Sequence, residues 1–183
     1  QAILSGSLNY IFNNYNTSIN FREVVQKAMD EGFTEPDPKI DLSGIDVARK
    51  ILILARESGK EIELNEVNNN SFIPNQCLET SSNKGFLNSL DSNETHFKKI
   101  LNKAIKMKSK IKYVAEYKNG KASVGIKYIP KGHDFYNLEG SDNIVLFYTE
   151  RYKTQPLIVK GAGAGSEVTA SGIFADIIRV SRN

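Results

Sequence analysis

The residues best suited to chemistry lie between Glu35 and Lys50, where four carboxylates fall within sixteen residues that end at a lysine. The other three carboxylates are Asp37, Asp41 and Asp46. A surface loop rarely carries charge at this density, whereas a pocket that binds a charged small molecule requires it. The lysine is the candidate proton carrier, because an amine changes its charge readily when its surroundings change.

This charged segment begins as a loop and ends in a helix. Glu35 and Asp37 each precede a proline, which disfavours helical backbone, so we expect both residues to be extended and fixed in direction. Asp41 stands just before a helical pattern over 42–58 that stops at Gly59, which makes it a candidate N-cap. The helix is apolar on nearly every face and should be largely buried.

Lys50 is the unusual residue of this helix. Asp46 lies one turn before it, so the two side chains share a face, while the next turn brings Ile53 and Leu54. A lysine among apolar neighbours is costly unless it is paired, and burial lowers the pKa of an amine, which suits a proton shuttle. The alternative is an ordinary ion pair whose lysine reaches solvent. The spacing leaves both interpretations open.

Two more helices are predicted before this segment. The first follows Ser5-Gly6-Ser7, with either serine as its cap, and the second begins near Ser18 or Asn20 and ends at Gly32. With the helix over 42–58, they make the first third of the chain helical.

The middle of the chain, 60–92, is polar and rich in turn-forming residues. We expect a short strand over 62–67 and a short helix over 85–90. A longer helix should follow, capped by Ser92 or Asn93 and running to about residue 108.

The hydrophobic period then changes from helical to alternating. Two such runs, 111–117 and 122–128, flank Asn119-Gly120, a strong hairpin signal. Further strands are predicted over 143–149 and 155–160. Helices followed by strands favour an α+β fold with a mostly antiparallel or mixed open sheet and helices packed on one face.

Composition is ordinary for a globular chain: 183 residues, 40% hydrophobic, 25% charged and a net charge of +3. A lysine-rich helix and strand over 98–112 could contact phosphates, but a solvated face explains it better, so we expect no nucleic-acid partner. No apolar run is long enough to span a membrane, and we expect no metal site.

The single Cys77 has no convincing base near it, since His96 and His133 lie in other segments. A single free cysteine fits a reducing, cytoplasmic compartment. Because the chain opens with Gln1, we expect it to be a piece of a longer protein.

Near the end, Gly161-Ala162-Gly163-Ala164-Gly165 joins a strand to a helix over 166–179. This arrangement is similar to a dinucleotide fingerprint, but Ser166 stands at the third glycine position and no second strand follows. A tight close-approach turn is therefore the better interpretation, although its amides could still face a ligand. The apolar residues of this helix need burial against another part of the protein. We therefore divide the chain into residues 1–160 and a separate terminal segment, 161–183, that contains the glycine loop and the helix.

Three blocks together resemble the carboxy-terminal, catalytic part of homoserine dehydrogenase. They are the segment 5–12, the segment 32–57 and the segment 161–179. The residues over 147–157 resemble the bifunctional branch, in which the dehydrogenase is fused to an aspartate kinase. The resemblance implies the NAD- or NADP-dependent interconversion of L-aspartate 4-semialdehyde and L-homoserine, in threonine and methionine biosynthesis.

Site roles follow from this resemblance alone. It implies that Lys50 transfers the proton at the reacting oxygen and that Asp46 positions it. It implies that Glu35 and Asp41 hold the substrate ammonium group. Three more residues would lie near the substrate and three near the nicotinamide: Gly6, Ser7 and Thr34, and Gly163, Gly165 and Thr169.

The sequence also departs from the family pattern. Phe33 stands where the family often has tyrosine, and the amino-terminal nucleotide-binding domain is absent. Because that domain binds most of the cofactor, we predict that this chain alone does not turn over. The resemblance further implies a homodimer. The competing hypothesis is a non-catalytic amino-acid-binding or dimerisation module, in which Lys50 would be dispensable.

Overall fold

One mixed sheet organises the computed structural model, which describes residues 1–182. Its strands are β1 (Ala2–Ile3), β2 (Asn68–Asn70), β3 (Ser109–Lys118), β4 (Lys121–Pro130), β5 (Asn143–Phe147) and β6 (Leu157–Gly161). They lie in the order β2-β4-β3-β1-β5-β6. The β2–β4 pair is parallel and the other pairs are antiparallel. The predicted α+β class with a mixed open sheet is confirmed.

Helices alternate with short loops before the hairpin and return only at the end of the chain. They are α1 (Gly6–Asn14), α2 (Phe21–Asp30), α3 (Pro38–Leu42), α4 (Ile45–Glu57), α5 (Asn75–Leu78), α6 (Asn83–Ser92), α7 (Glu94–Lys106) and α8 (Ser166–Ser181). Ser5 caps α1, because its hydroxyl accepts a hydrogen bond from the amide of Leu8 at 3.1 Å. None of these helices, within the described residues, is long and apolar enough to cross a membrane.

The two faces of the sheet carry different cores. Alternate residues of β3, such as Tyr113 and Ala115, join the large core built with α1, α2, α4, α6 and α7. Val114 points the other way, into a small cluster with Phe135 and Leu138 from the loop after β4. The helices therefore cover one face, and a loop covers the middle of the other. The hairpin turn is the one predicted, with positive φ at Asn119 and Gly120.

The helix predicted over 42–58 is broken in the structure. Gly44, with φ of +74°, separates α3 from α4, and a Cβ there would lie 1.9 Å from the Tyr113 hydroxyl. The cap prediction for Asp41 is wrong, because Pro38 starts the helix earlier and Asp37 caps it, accepting from the Lys39 amide at 3.1 Å.

Three other differences concern short or exposed elements. The strand predicted over 62–67 is a 3₁₀ turn, Leu64–Glu66, and the strand comes after it as β2. β1 was not predicted, since two residues show no period, yet it lies between β3 and β5. The helix α4 is less buried than expected, with Ile53 57% exposed.

The last two elements differ from the rest of the fold. All residues of β6 are exposed, and α8 has no buried residue. Its large apolar side chains, Ile173, Phe174 and Ile177, are 58%, 65% and 59% exposed. No described residue covers these side chains, whereas the chain from its start to β5 contributes the buried core.

Candidate active site

The charged segment faces a pocket of about 400 Å³. Three parts of the chain line it: the start of α1, residues 32–50 and residues 141–165. The lining includes almost the whole set of residues singled out from sequence: Gly6, Ser7, Thr34, Glu35, Asp41, Asp46, Lys50, Gly163 and Gly165. Thr169 and Asp37 are not among the lining residues. The tertiary fold thus brings together groups that lie more than a hundred residues apart.

Lys50 is paired in this pocket rather than buried. Its ammonium lies 2.7 Å from Oδ2 of Asp46 and donates a hydrogen bond to the carbonyl of Leu4 at 3.1 Å. The side chains of Lys50 and Asp46 are 41% and 44% exposed. Of the two interpretations that the spacing left open, the structure therefore shows the paired lysine that reaches solvent, on the pocket side of α4. An ammonium has three donors, so two contacts leave one N–H for a ligand oxygen.

Asp41 connects two segments that form one wall of the pocket, the start of α1 and the loop after α2. Its Oδ1 accepts a hydrogen bond from the Ser7 hydroxyl at 2.7 Å, and its Oδ2 accepts one from the Glu35 amide at 2.8 Å. The short helix α3 therefore fixes the loop after α2 against the beginning of α1. Thr34 donates from its hydroxyl to the carbonyl of Glu35 at 3.1 Å, which adds a local restraint to the same loop.

A glycine loop forms the opposite wall. A Cβ on Gly163 would lie 1.8 Å from Nδ2 of Asn143, so only glycine fits this approach. Gly165 has φ of +123°, which other residues rarely adopt. Thr169 lies one turn into α8, where it is exposed and its amide donates to the carbonyl of Gly165 at 3.0 Å. This contact is a backbone hydrogen bond at the start of α8, and Thr169 itself lies outside the pocket lining.

Sequence reasoning missed the residues that connect these walls. Leu4, Ser141 and Asn143 also line the pocket. A Cβ on Gly6 would lie 2.8 Å from the carbonyl oxygen of Ser141, so the start of α1 touches this segment closely. Oδ1 of Asn143 is buried without a hydrogen-bond partner in the described part of the chain. The sequence signal was weak: Gly140-Ser141-Asp142-Asn143 reads as an ordinary polar turn before a strand.

Phe33 also lines the pocket. Its ring stacks on Tyr10 with centroids 4.1 Å apart. The Tyr10 hydroxyl donates to Glu31 at 2.6 Å, and this hydrogen bond raises the pKa of Tyr10 to about 12. Phe33 therefore presents an apolar ring to the pocket, and Tyr10 packs against that ring.

The other candidate groups lie elsewhere. Cys77 is buried and contacts Ser89 and Asn93, away from the pocket lining. Among residues 1–182, no cluster of His, Cys, Asp or Glu could hold a metal ion. The lysines of α7 are exposed, as expected for a solvated face, but Lys112 at the end of the same cluster is fully buried.

A known protein family matches nearly the whole chain. The family profile described as homoserine dehydrogenase matches residues 1–178. The chain belongs to the homoserine dehydrogenase family. A bifunctional aspartokinase/homoserine dehydrogenase of Zea mays, described as chloroplastic, is 43% identical over 183 residues. That match covers 99% of this chain and 20% of the relative.

Solved structures support the same family fold. A Candida auris protein of unknown function superposes with a TM-score of 0.91 and 41% identity, covering 100% of this chain and 52% of that one. A homoserine dehydrogenase of Staphylococcus aureus superposes with a TM-score of 0.71 and 28% identity, covering 98% and 42%. The chain therefore spans about half the length of these structures or less, and about a fifth of its curated relatives.

Proposed function

We propose that this chain is the substrate-binding and proton-transfer part of an NAD(P)-dependent homoserine dehydrogenase. The reaction interconverts L-homoserine and L-aspartate 4-semialdehyde. The observation that carries the proposal is the convergence of Glu35, Asp41, Asp46 and Lys50 on one pocket, opposite a glycine loop. Membership of the family supports the same assignment.

The carboxylates Glu35 and Asp41 suit the α-ammonium group of the amino acid. Both oxygens of Asp41 already accept one hydrogen bond each, from Ser7 and from the Glu35 amide. A carboxylate has about four acceptor sites, so Asp41 keeps capacity for a charged donor. Glu35 carries an exposed carboxylate at the rim. The amino end of the substrate would then lie near α3 and its reactive end near α4.

Lys50 is placed to exchange a proton with the reacting oxygen. In the reducing direction its free N–H gives a proton to the aldehyde oxygen as that oxygen gains negative charge. In the oxidising direction the neutral amine takes the hydroxyl proton while the carbon–hydrogen electron pair leaves as hydride. Asp46 and the Leu4 carbonyl hold the nitrogen in place through the contacts of 2.7 and 3.1 Å. Asp46 thereby acts as a positioning residue.

The glycine loop fits the approach of a flat ring. Residues 162–165 offer the pocket only backbone and methyl groups, and the tight contact of Gly163 with Asn143 keeps the wall flat. When bound, NAD or NADP accepts or supplies the hydride. We propose that Gly163 and Gly165 lie against the nicotinamide ring and that Thr169 lies near it at the start of α8. A separate domain would hold the rest of the cofactor.

The exposed apolar residues near the end of the chain are evidence for further domains in a longer protein. We propose that 161–183 pack on a nucleotide-binding domain, because the apolar side chains of α8 are uncovered in the described residues. The names of the bifunctional relatives support an aspartate kinase part in the longer protein.

The exposed residues Leu157, Ile158 and Val159 on edge strand β6 support a homodimer. The free Cys77 supports a reducing compartment such as the cytoplasm.

The deciding experiment is Lys50→Met in the protein that joins this chain to its nucleotide-binding domain. Homoserine-dependent reduction of NAD⁺ or NADP⁺ should fall about 10²- to 10⁴-fold, the usual cost of losing a general acid–base group. The matched control is Lys27→Met, because Lys27 and Glu31 form another i,i+4 pair outside the pocket lining. Unchanged turnover in Lys50→Met would favour the non-catalytic amino-acid-binding or dimerisation module.

A further inference from the structure

Lys112 is a buried charge that the proposed mechanism does not use. It lies near the start of β3 with 0% of its surface exposed. A buried ammonium is costly unless its three donors are satisfied, so its partners identify what it holds together. The surrounding acceptors come from two other parts of the fold, α1 and the loop after β4.

The ammonium of Lys112 donates hydrogen bonds to three oxygens. Oδ1 of Asn9 lies at 2.8 Å, Oδ1 of Asn13 at 2.7 Å and the carbonyl oxygen of Leu138 at 2.5 Å. The three donors therefore match three acceptors. None of the acceptors is a carboxylate, so the site is a positively charged connection between neutral groups rather than an ion pair.

The same asparagines also donate to the loop. Asn13 donates its amide to the carbonyl of Leu138 at 3.1 Å, and Asn9 donates to the carbonyl of Gly140 at 2.9 Å. Lys112 orients both side chains, because it occupies their oxygens and leaves their NH₂ groups facing the loop. The turn at 138–140 is thus held to α1 by a network with the lysine at its centre.

This turn leads directly into the pocket. Ser141 follows Gly140 and lines the pocket, where its carbonyl is in close contact with Gly6 at the beginning of α1. Asn143, two residues later, contacts Gly163 of the glycine loop. The distance between the substrate wall and the glycine loop therefore depends on where the turn 138–140 is fixed.

We infer that Lys112 is a positioning residue of this pocket, whose ammonium fixes the turn 138–140 against α1 and so sets the wall formed by Ser141 and Asn143. This inference deepens the proposed function and rests on it. Lys112 touches none of the pocket-lining groups through its ammonium, so its effect on substrate is indirect and acts through the wall.

Titration gives this role a distinct signature. Burial lowers the pKa of Lys112 to about 8, helped by nearby Lys110 and opposed by Glu139 on the turn, while α1 presents the uncharged Asn9 and Asn13. Above that pH the neutral amine has two N–H donors for three acceptors. The KM for homoserine should therefore rise between pH 7 and pH 9.

The test compares Lys112→Met and Lys112→Arg with the parent protein, joined to its nucleotide-binding domain. Lys112→Met should raise the KM for homoserine about tenfold, the loss of a charge-assisted hydrogen bond, with a smaller change in kcat. Lys112→Arg keeps a permanent cation and donors, so it should retain most of the affinity and lose the rise in KM above pH 8. Lys118→Met, at the exposed end of the same strand, is the control.

A second variant covers the case in which Lys112→Met does not fold. Asn13 is exposed, so Asn13→Ala should fold. It removes one acceptor of Lys112 and one donor to the turn while Asn9 keeps its contacts with both, so it should raise the KM about threefold. The control is Asn16→Ala, because the side chain of Asn16 hydrogen-bonds to its chain neighbours Asn14 and Ser18. This variant should keep the parent KM. Hydrogen exchange of 138–143 should accelerate in Asn13→Ala and Lys112→Met.

The outcomes separate the two proposals. A parent protein that does not oxidise homoserine contradicts the proposed function itself. An active parent whose Lys112→Met and Asn13→Ala variants exchange faster at 138–143, but keep the parent KM and pH profile, overturns the positioning role. The role also fails if Lys112→Arg keeps the same rise in KM above pH 8.

Discussion

The pocket has two walls that are supported in opposite ways. The wall with Ser7, Asp41 and Lys50 stands on α1, α3 and α4, which pack into the large core. The wall with Gly163 and Gly165 is carried by β6 and α8, whose residues are exposed along almost their whole length. The described residues therefore fix the groups that we propose for substrate binding and proton transfer by their own packing. The position of the glycine wall depends on fewer contacts.

This difference indicates how the proposed chemistry is divided. Proton transfer needs an oxygen and a nitrogen held within hydrogen-bond reach, which the helical core supplies. Hydride transfer also needs its partners held close together, and the glycine wall has few packing contacts of its own to hold them. We expect substitutions on the helical wall to act mainly on turnover and substrate affinity, and substitutions on the glycine wall to leave stability nearly unchanged.

The largest effect after Lys50→Met should come from Asp41→Asn. Removing the charge near the substrate ammonium should raise the KM for homoserine about 10- to 100-fold, the range for a hydrogen bond to a charged group. Steady-state kinetics measures this in the protein with its nucleotide-binding domain. The comparison variant is Asp37→Ala, which should keep the parent KM and lose about 1 kcal/mol of unfolding free energy as a lost N-cap. Equal KM values for the two variants would contradict the division of roles.

An intermediate effect is expected for Gly163→Ala. The new Cβ would collide with the side-chain amide of Asn143, so the glycine wall must move outward. We expect turnover to fall about tenfold, since small misplacements of a reacting group are costly, while the melting temperature changes little. Gly172→Ala on α8 has open space around its Cβ and should gain up to about 1 kcal/mol from helix propensity. A large loss of thermal stability in Gly163→Ala would show that this wall is part of the core.

The smallest effect on this chain should come from Phe174→Asp. Because Phe174 is 65% exposed, the unfolding free energy of the chain in urea should change by less than about 0.5 kcal/mol. In the longer protein the same change should weaken cofactor binding if α8 packs on the nucleotide-binding domain. Ser171→Asp, a polar position of the same helix, adds the same charge without removing an apolar side chain. A marked drop in stability of the chain itself would mean that α8 is already packed.

Local patterns predicted most elements of the fold because each carried its own signal. The hairpin followed from Asn119-Gly120 between two alternating runs, and the helices followed from caps such as Ser5 together with helical periodicity. The failures have a common physical origin. β1 and β2 are too short to show a period, and their backbone pairing is long-range. The break at Gly44 depends on the Tyr113 hydroxyl, which comes from a strand about seventy residues later.

The sequence by itself determined the candidate chemistry. The spacing of Asp46 and Lys50 puts them on one helical face in any fold that keeps the helix, and the prolines after Glu35 and Asp37 restrict the loop. Only the tertiary structure decided that Lys50 is half exposed beside a pocket, that Asp37 is a cap, and that Asn143 meets Gly163. It also decided that Lys112, one of many lysines in a polar run, is buried under three oxygens. Local spacing fixes which side chains share a face, whereas burial and pairing depend on contacts between distant segments.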